Sequence, residues 1–156
     1  SSNHPQTKKI LRKKEKFMRS ISAQDTILIP CTAELYRIEG TDAVLIWERT
    51  LLNYVCPVYA IVANDGSSIA TFDNWYSTGY GVNVFVVYDE KGNAKKTYKL
   101  DEISPFPLND YSTSISSLYW RKDVRYIEND RIEIIFETDD NKTINRTYNL
   151  KRLEVE

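Results

Sequence analysis

Short runs of alternating apolar and polar residues, separated by strong turn signals, occupy most of the chain and constrain its fold more than any other feature. In the run from Val82 to Asp89, apolar side chains recur at every second position. Side chains of a strand point alternately to the two faces of its sheet, so this spacing predicts strands with one buried and one hydrated face. Asn64-Asp65-Gly66, between two such runs, is typical of a tight hairpin turn.

The same pattern predicts eight or nine strands along the chain. They are expected at 32–39, 43–50, 58–63, 68–73, 82–89, 94–100, 124–127, 131–137 and 143–150. Pro105 and Pro107 interrupt the series, because proline cannot donate a hydrogen bond within a central strand. No helical periodicity separates the runs. We therefore predict an all-β fold, either an antiparallel sandwich or a strongly curled sheet of blade-like hairpins.

The N-terminal part of the chain differs from the rest in both periodicity and charge. Apolar residues of segment 7–21 fall at helical spacing, and Lys8 to Lys16 contains six basic residues and one acidic residue. One interpretation is a basic amphipathic helix that contacts an anionic surface or polymer. The other is a helix or linker whose apolar side packs on the sheet. We divide the chain into a tail with a basic helix or arm (1–21) and a single all-β domain (22–156).

Charge and hydropathy exclude several classes of function for the predicted domain. Outside Lys8 to Lys16 the chain carries a net charge of −6, which argues against a nucleic-acid partner. The apolar runs are only as long as strands, well short of the ~18 residues of a membrane-spanning helix. A length of 156 residues corresponds to one domain.

The central third of the chain contains a specific succession of short motifs. They are Thr71 to Trp75, Gly79 to Gly81, Val84 to Asp89, Gly92, Leu100 to Ile103 and Ser116 to Arg121. In these motifs the chain resembles a group of exported bacterial proteins of unassigned function with propeller-blade-like strands. The resemblance implies a β fold and an exported location, periplasmic, cell-surface or secreted, with the signal segment absent from this chain. Tyr76 stands where that group has a histidine.

Within these motifs, the segment from Asp73 to Gly81 is the best candidate for a binding site. Its glycines permit a positive φ, and Trp75, Tyr76 and Tyr80 offer flat apolar faces with polar tips. Trp120 is a further candidate. One interpretation is an exposed aromatic surface that stacks on sugar rings or receives a partner's side chain. The other is architectural, with Asp73 capping the turn and Trp75 closing the end of the sheet.

The two cysteines, Cys31 and Cys56, each precede a predicted strand. A disulfide between them would close a loop of about 25 residues, which corresponds to about 3 kcal/mol of stability in the chain-entropy model. Two buried thiols in a reducing compartment are the alternative. The pair is too small a ligand set for zinc, so we expect no metal site.

The sequence lacks the residues of the common catalytic arrangements. The single histidine, His4, lies in the N-terminal tail, and the carboxylates show no distinctive pairing. We therefore expect no enzymatic activity and no cofactor. We expect an exported binding or structural protein of the bacterial cell envelope, with an unknown protein or glycan partner. The alternatives are an inhibitor or immunity-type protein that binds another protein, and a carbohydrate- or peptidoglycan-binding module.

Overall fold

A computed structural model of the protein describes residues 31–53, 55–75 and 77–156. About half of these residues lie in strands, and every strand pairing is antiparallel. The strands are β1 (Thr32–Glu39), β2 (Asp42–Thr50), β3 (Tyr59–Val62), β4 (Ser68–Phe72), β5 (Phe85–Asp89), β6 (Ala94–Tyr98), β7 (Ser112–Thr113), β8 (Leu118–Tyr119), β9 (Arg121–Tyr126), β10 (Arg131–Glu137), β11 (Thr143–Asn149) and β12 (Glu154–Val155). A one-turn helix, α1 (Leu100–Ile103), and a 3-10 turn (Leu108–Asp110) follow β6.

Two four-stranded meanders form the body of the domain. Strands β3 to β6 make the first sheet and β9 to β12 the second, each with neighbouring strands in chain order. Strands β1 and β2 form a separate hairpin, and β7 and β8 form a small two-stranded sheet. This arrangement confirms the predicted all-β fold, and a sandwich describes it.

Aromatic side chains from both large sheets form the core between them. The rings of Phe72 and Phe85 stack with centroids 4.9 Å apart, and Phe85 meets the edge of Tyr148 from the second sheet at 4.7 Å. The hydroxyls of Tyr98 and Tyr148 lie 2.6 Å apart, so each of these buried groups has a hydrogen-bonding partner. A single apolar cluster therefore joins the two sheets.

The hairpin β1–β2 covers the part of the second face of the first sheet that β4 and β5 form. Trp47 of β2 forms a cluster with Ile69, Val86 and Tyr88, and Leu35 of β1 packs against it. As a result, both faces of β5 are buried, whereas the alternation in the sequence predicted one hydrated face. The prediction failed because a strand pattern shows which residues are apolar but not which distant segment covers each face.

Most predicted strands are present, but several of their bounds differ by one to three residues. The run predicted at 94–100 ends at Tyr98, before α1, and the run predicted at 124–127 is the strand Arg121–Tyr126. The run predicted from residue 82 begins at Phe85, and Val82 is exposed. Strands β7, β8 and β12 have two residues each, too few for an alternating pattern to be visible. The predicted N-terminal helix or arm (1–21) lies outside the described residues, as does Tyr76.

Candidate functional site

Asp73 is the centre of the candidate site and is completely buried. It follows β4 directly and has a φ of +62°, a conformation that is uncommon for a residue with a side chain. Its Oδ1 accepts hydrogen bonds from the backbone N–H of Gly79 at 2.7 Å and from the indole Nε1 of Trp120 at 3.0 Å. One carboxylate oxygen thus joins the end of the first sheet, the glycine turn and the segment leading into the second sheet.

The side chain of Asn53 holds the backbone of Asp73 in place. Its Nδ2 donates to the carbonyl oxygen of Asp73 at 2.9 Å, and its Oδ1 accepts from the hydroxyl of Thr71 at 3.0 Å. The hydroxyl of Tyr88 also donates to Oδ1 of Asn53, at 3.3 Å. Sequence reasoning missed Asn53, because an asparagine in a loop carries no local signal that it will be buried beside a residue 20 positions away.

Arg121, the first residue of β9, is the cation nearest to Asp73. Its Nη2 lies 3.7 Å from Oδ2 of Asp73, and its guanidinium carbon lies 5.2 Å from the centre of the Tyr59 ring. Only 14% of the arginine side chain is exposed. Burial raises the pKa of Asp73, while the hydrogen bonds from Trp120 and Gly79 and the charge of Arg121 act in the opposite direction.

Position 79 requires a glycine for two reasons, the backbone conformation and the close packing against a neighbouring segment. Its φ is +78°, and a Cβ at this position would lie 2.8 Å from both the Cβ and the carbonyl oxygen of Leu118. The amide of Leu118 donates to the carbonyl oxygen of Thr78 at 2.9 Å, so the two segments are held in direct contact. This glycine therefore serves the close approach of two backbones.

Trp75 is an exposed aromatic residue of this segment, with 65% of its surface accessible. Its backbone N–H donates to the carbonyl oxygen of Cys56 at 3.2 Å, and the N–H of Val58 donates to the carbonyl oxygen of Phe72 at 3.0 Å. Residues 56–59 therefore run antiparallel beside residues 72–75. Val58 and Tyr59 are also exposed, and we call the three exposed residues Val58, Tyr59 and Trp75 the Trp75 surface.

The residues predicted to form one aromatic site thus lie in different environments. Asp73 and Trp120 are in direct contact but buried, and Tyr80 is also buried. Trp75 is at the surface, and Tyr76 lies outside the described residues. The contacts of Asp73 and Trp120 serve the architecture of the turn, and Trp75 is the group that a partner can reach. Tyr59, which sequence reasoning missed, is exposed at the start of β3, where it pairs with Phe72.

Cys31 and Cys56 lie next to each other beside this surface. Their Sγ atoms are 2.7 Å apart, and both are thiols in the structure. Burial, followed by the hydrogen bond with Cys56, raises the pKa of the Cys31 thiol to about 12. The two segments for which the sequence left a disulfide open are therefore in contact, and the disulfide itself stays a prediction.

Comparisons of the chain with protein-family models, with curated proteins and with solved structures found no match. None of the helices in the described part of the chain has the length and apolar character needed to cross a bilayer.

Proposed function

We propose that this chain is an exported binding protein of the bacterial cell envelope, and that it recognises a protein partner through the Trp75 surface. The observation that carries the proposal is the contrast between the exposed Trp75 and the buried Asp73 beside it in the chain. Trp75 is 65% exposed, yet it lies two residues from a fully buried aspartate with a positive φ. Exposed tryptophans on firmly held backbone are frequent centres of protein interfaces.

The support beneath Trp75 favours a preformed binding surface. The carboxylate of Asp73 is held by two hydrogen bonds, and the guanidinium of Arg121 lies beside it and over the ring of Tyr59. A surface that is already ordered loses little conformational entropy when a partner binds. The strained backbone at Asp73 is consistent with such a role, because strain of this kind is concentrated at functional sites.

The charge of the described chain favours a basic partner. Residues 31–156 contain 20 acidic and 14 basic side chains, a net charge of −6. Complementary charge accelerates association with a basic protein and makes the rate depend on salt. The exported location derives from the resemblance to exported bacterial proteins, and no reaction is part of the proposal.

A pull-down from an envelope extract of the source bacterium tests this function. We expect the parent protein to retain one protein in fixed stoichiometry, and Trp75→Ala to lower its affinity about 30-fold or more. Tyr119→Ala is the matched control, because Tyr119 is 56% exposed and lies outside the Trp75 surface. Equal retention by the parent and by Trp75→Ala would show that the Trp75 surface is not the binding site.

Tryptophan fluorescence provides an independent readout. Trp47 and Trp120 are buried, so Trp75 is the one tryptophan whose emission senses solvent directly. Binding at the Trp75 surface should shift the emission to shorter wavelength in the parent but not in Trp75→Phe. If soluble wall glycans cause the same shift and the pull-down retains no protein, the ligand of the Trp75 surface is a carbohydrate and not a protein.

A further inference from the structure

The hairpin β1–β2 has an apolar face that no described part of the chain covers. Tyr36 pairs with Leu45 and Ile38 pairs with Ala43, and all four side chains are exposed. Ile38 alone is 70% exposed. We call these four residues the outer face of the hairpin. The opposite face of the hairpin packs on the first sheet only near its base, through Leu35 and Trp47.

Such a hairpin needs further contacts to be stable along its whole length. A two-stranded ribbon is marginally stable at best in water, and three strands or a packed face are required for independent stability. Here strands of eight and nine residues extend beyond the cluster around Trp47. The outer half of the hairpin is therefore expected to bind another segment.

Two carboxylates at the base of the outer face indicate the charge of that segment. Glu34 and Glu48 stand directly opposite each other in the strand pairing. Opposed like charges destabilise an antiparallel pair, and neither carboxylate forms an ion pair with a basic side chain of the described residues. The hydroxyl of Tyr36 donates to Oε2 of Glu34 at 2.5 Å, so these charges border the apolar residues directly. A cationic amphipathic segment matches both features.

We propose that residues 7–21 of the same chain bind the outer face of the hairpin, with their apolar side on Tyr36, Ile38 and Leu45 and their basic residues beside Glu34 and Glu48. Segment 7–21 has the required composition, with five apolar residues at helical spacing. They are Ile10, Leu11, Phe17, Met18 and Ile21. Its basic part, from Lys8 to Lys16, carries a net charge of +5, opposite in sign to the carboxylates.

The position of the segment in the chain favours this intramolecular contact over a separate partner. Residues 22–30 connect it to Cys31, which directly precedes β1. Nine residues can span at most about 30 Å, enough for the chain to return along the hairpin. A 15-residue helix would be about 22 Å long, and the eight residues of β1 span about 26 Å. A short tether also holds the segment at a millimolar effective concentration.

Hydrogen exchange of the full chain, followed by mass spectrometry, tests the proposal. In the parent protein we expect the backbone amides of residues 36–45 to be protected. The double variant Ile10→Ser, Phe17→Ser should raise their exchange rate about tenfold or more, without a change in β10. Ile115→Ser is the matched control, because Ile115 is 91% exposed in another part of the domain and should have no effect.

Charge reversal separates a direct contact from a general loss of stability. The double variant Glu34→Lys, Glu48→Lys still has two like charges opposite each other. The repulsion within the hairpin is therefore the same as in the parent protein, and only the sign of the charge changes. We expect this pair and the pair Lys13→Glu, Lys16→Glu each to increase exchange. Combining all four substitutions should restore protection toward the parent value.

Two results would overturn the proposal. The first is rapid exchange of the backbone amides of residues 36–45 in the parent protein. That result would show that residues 7–21 do not cover the outer face. The second is protection that increases with protein concentration, together with a dimer mass in light scattering. That result would assign the outer face to a second copy of the chain.

Discussion

At the scale of single residues, Asp73 determines how the two sheets meet at the candidate site. Its Oδ1 accepts from Gly79 and from Trp120, and Arg121 lies beside Oδ2 at 3.7 Å. A buried carboxylate is tolerated only when it is hydrogen-bonded and paired with a cation. The position therefore requires the shape of aspartate and its hydrogen-bond acceptors.

We expect Asp73→Asn to lower the free energy of unfolding by about 3 kcal/mol at neutral pH, because the Nδ2–H donors would take the place of Oδ2, buried without an acceptor and facing the guanidinium of Arg121. Urea denaturation followed by circular dichroism measures this change. Asp123→Asn is a suitable control, since the ion pair of Asp123 with Arg125 is exposed and such pairs contribute little. Equal effects of the two substitutions would contradict a structural role for the buried pair.

The pH dependence of the same variant tests the state of the carboxyl group. Burial raises the pKa of Asp73 above its unfolded value of about 3.9. The folded protein then binds the proton more tightly, so this contribution is fully present below that pH and is lost as the pH rises through the folded pKa. The stability difference between the parent and Asp73→Asn should therefore shrink as the pH rises above about 4. A growing difference would show that the hydrogen bonds and Arg121 outweigh burial.

Gly79 and Gly81 provide a matched pair for separating close packing from backbone conformation. Both have a positive φ, but a Cβ at Gly79 would collide with Leu118, whereas nothing lies within 4 Å at Gly81. We expect Gly79→Ala to cost about 3 kcal/mol of stability, from strain and overpacking, and Gly81→Ala about 1 kcal/mol, from strain alone. Thermal denaturation of the two variants measures the difference. Equal losses would mean that Leu118 can move away from the added methyl group.

At the scale of elements, the hairpin β1–β2 is attached to the body of the domain by a small number of contacts. The amide of Leu51 donates to the carbonyl oxygen of Cys31 at 2.8 Å, which extends the pairing of β1 with β2 by one residue. The amide of Leu52 donates to the hydroxyl of Tyr88 at 3.0 Å and so links the hairpin to the first sheet. The cluster around Trp47 supplies the apolar contacts. A covalent link at Cys31 would therefore reinforce the base of the hairpin.

We expect Cys31 and Cys56 to be joined in the exported protein. The denatured, unreduced protein should contain no titratable thiol, and dithiothreitol should lower its stability by about 3 kcal/mol. The double variant Cys31→Ser, Cys56→Ser should be insensitive to dithiothreitol. Two reactive thiols in protein purified without reductant from the cell envelope would contradict the disulfide.

At the scale of the whole molecule, the two large sheets share one core and are expected to unfold together. Phe72 and Phe85 of the first sheet contact Trp120 and Tyr148 from the second part of the chain. Neither sheet can lose these rings without exposing the inner face of the other. The structure therefore predicts a single cooperative transition for the domain.

Phe85→Ala tests this cooperativity, because Phe85 contacts both sheets. We expect a loss of about 4 kcal/mol. Native-state hydrogen exchange should accelerate equally in β4 and in β10, although β10 belongs to the other sheet. Acceleration confined to β4 would show that the sheets unfold independently.

The sequence by itself determined the fold class and the places of most strands. Alternation of side chains and turns such as Asn64-Asp65-Gly66 are local properties, and they are readable without knowledge of distant contacts. The sequence left open whether Cys31 and Cys56 meet, and their contact is a result of the tertiary structure. Of the predicted site, only the chemistry of the segment from Asp73 to Gly81 was readable in advance.

The tertiary structure alone decided which side chains of that segment are buried. Asp73 meets Trp120 across 47 residues, Asn53 meets Asp73 across 20, and the hairpin covers the second face of β5. A periodic pattern shows that one face of a strand will be buried, but the packing partner depends on chain segments that are far apart in sequence. Trp120 and Tyr80 therefore lie in the core, and Trp75 at the surface, for reasons that the local sequence does not contain.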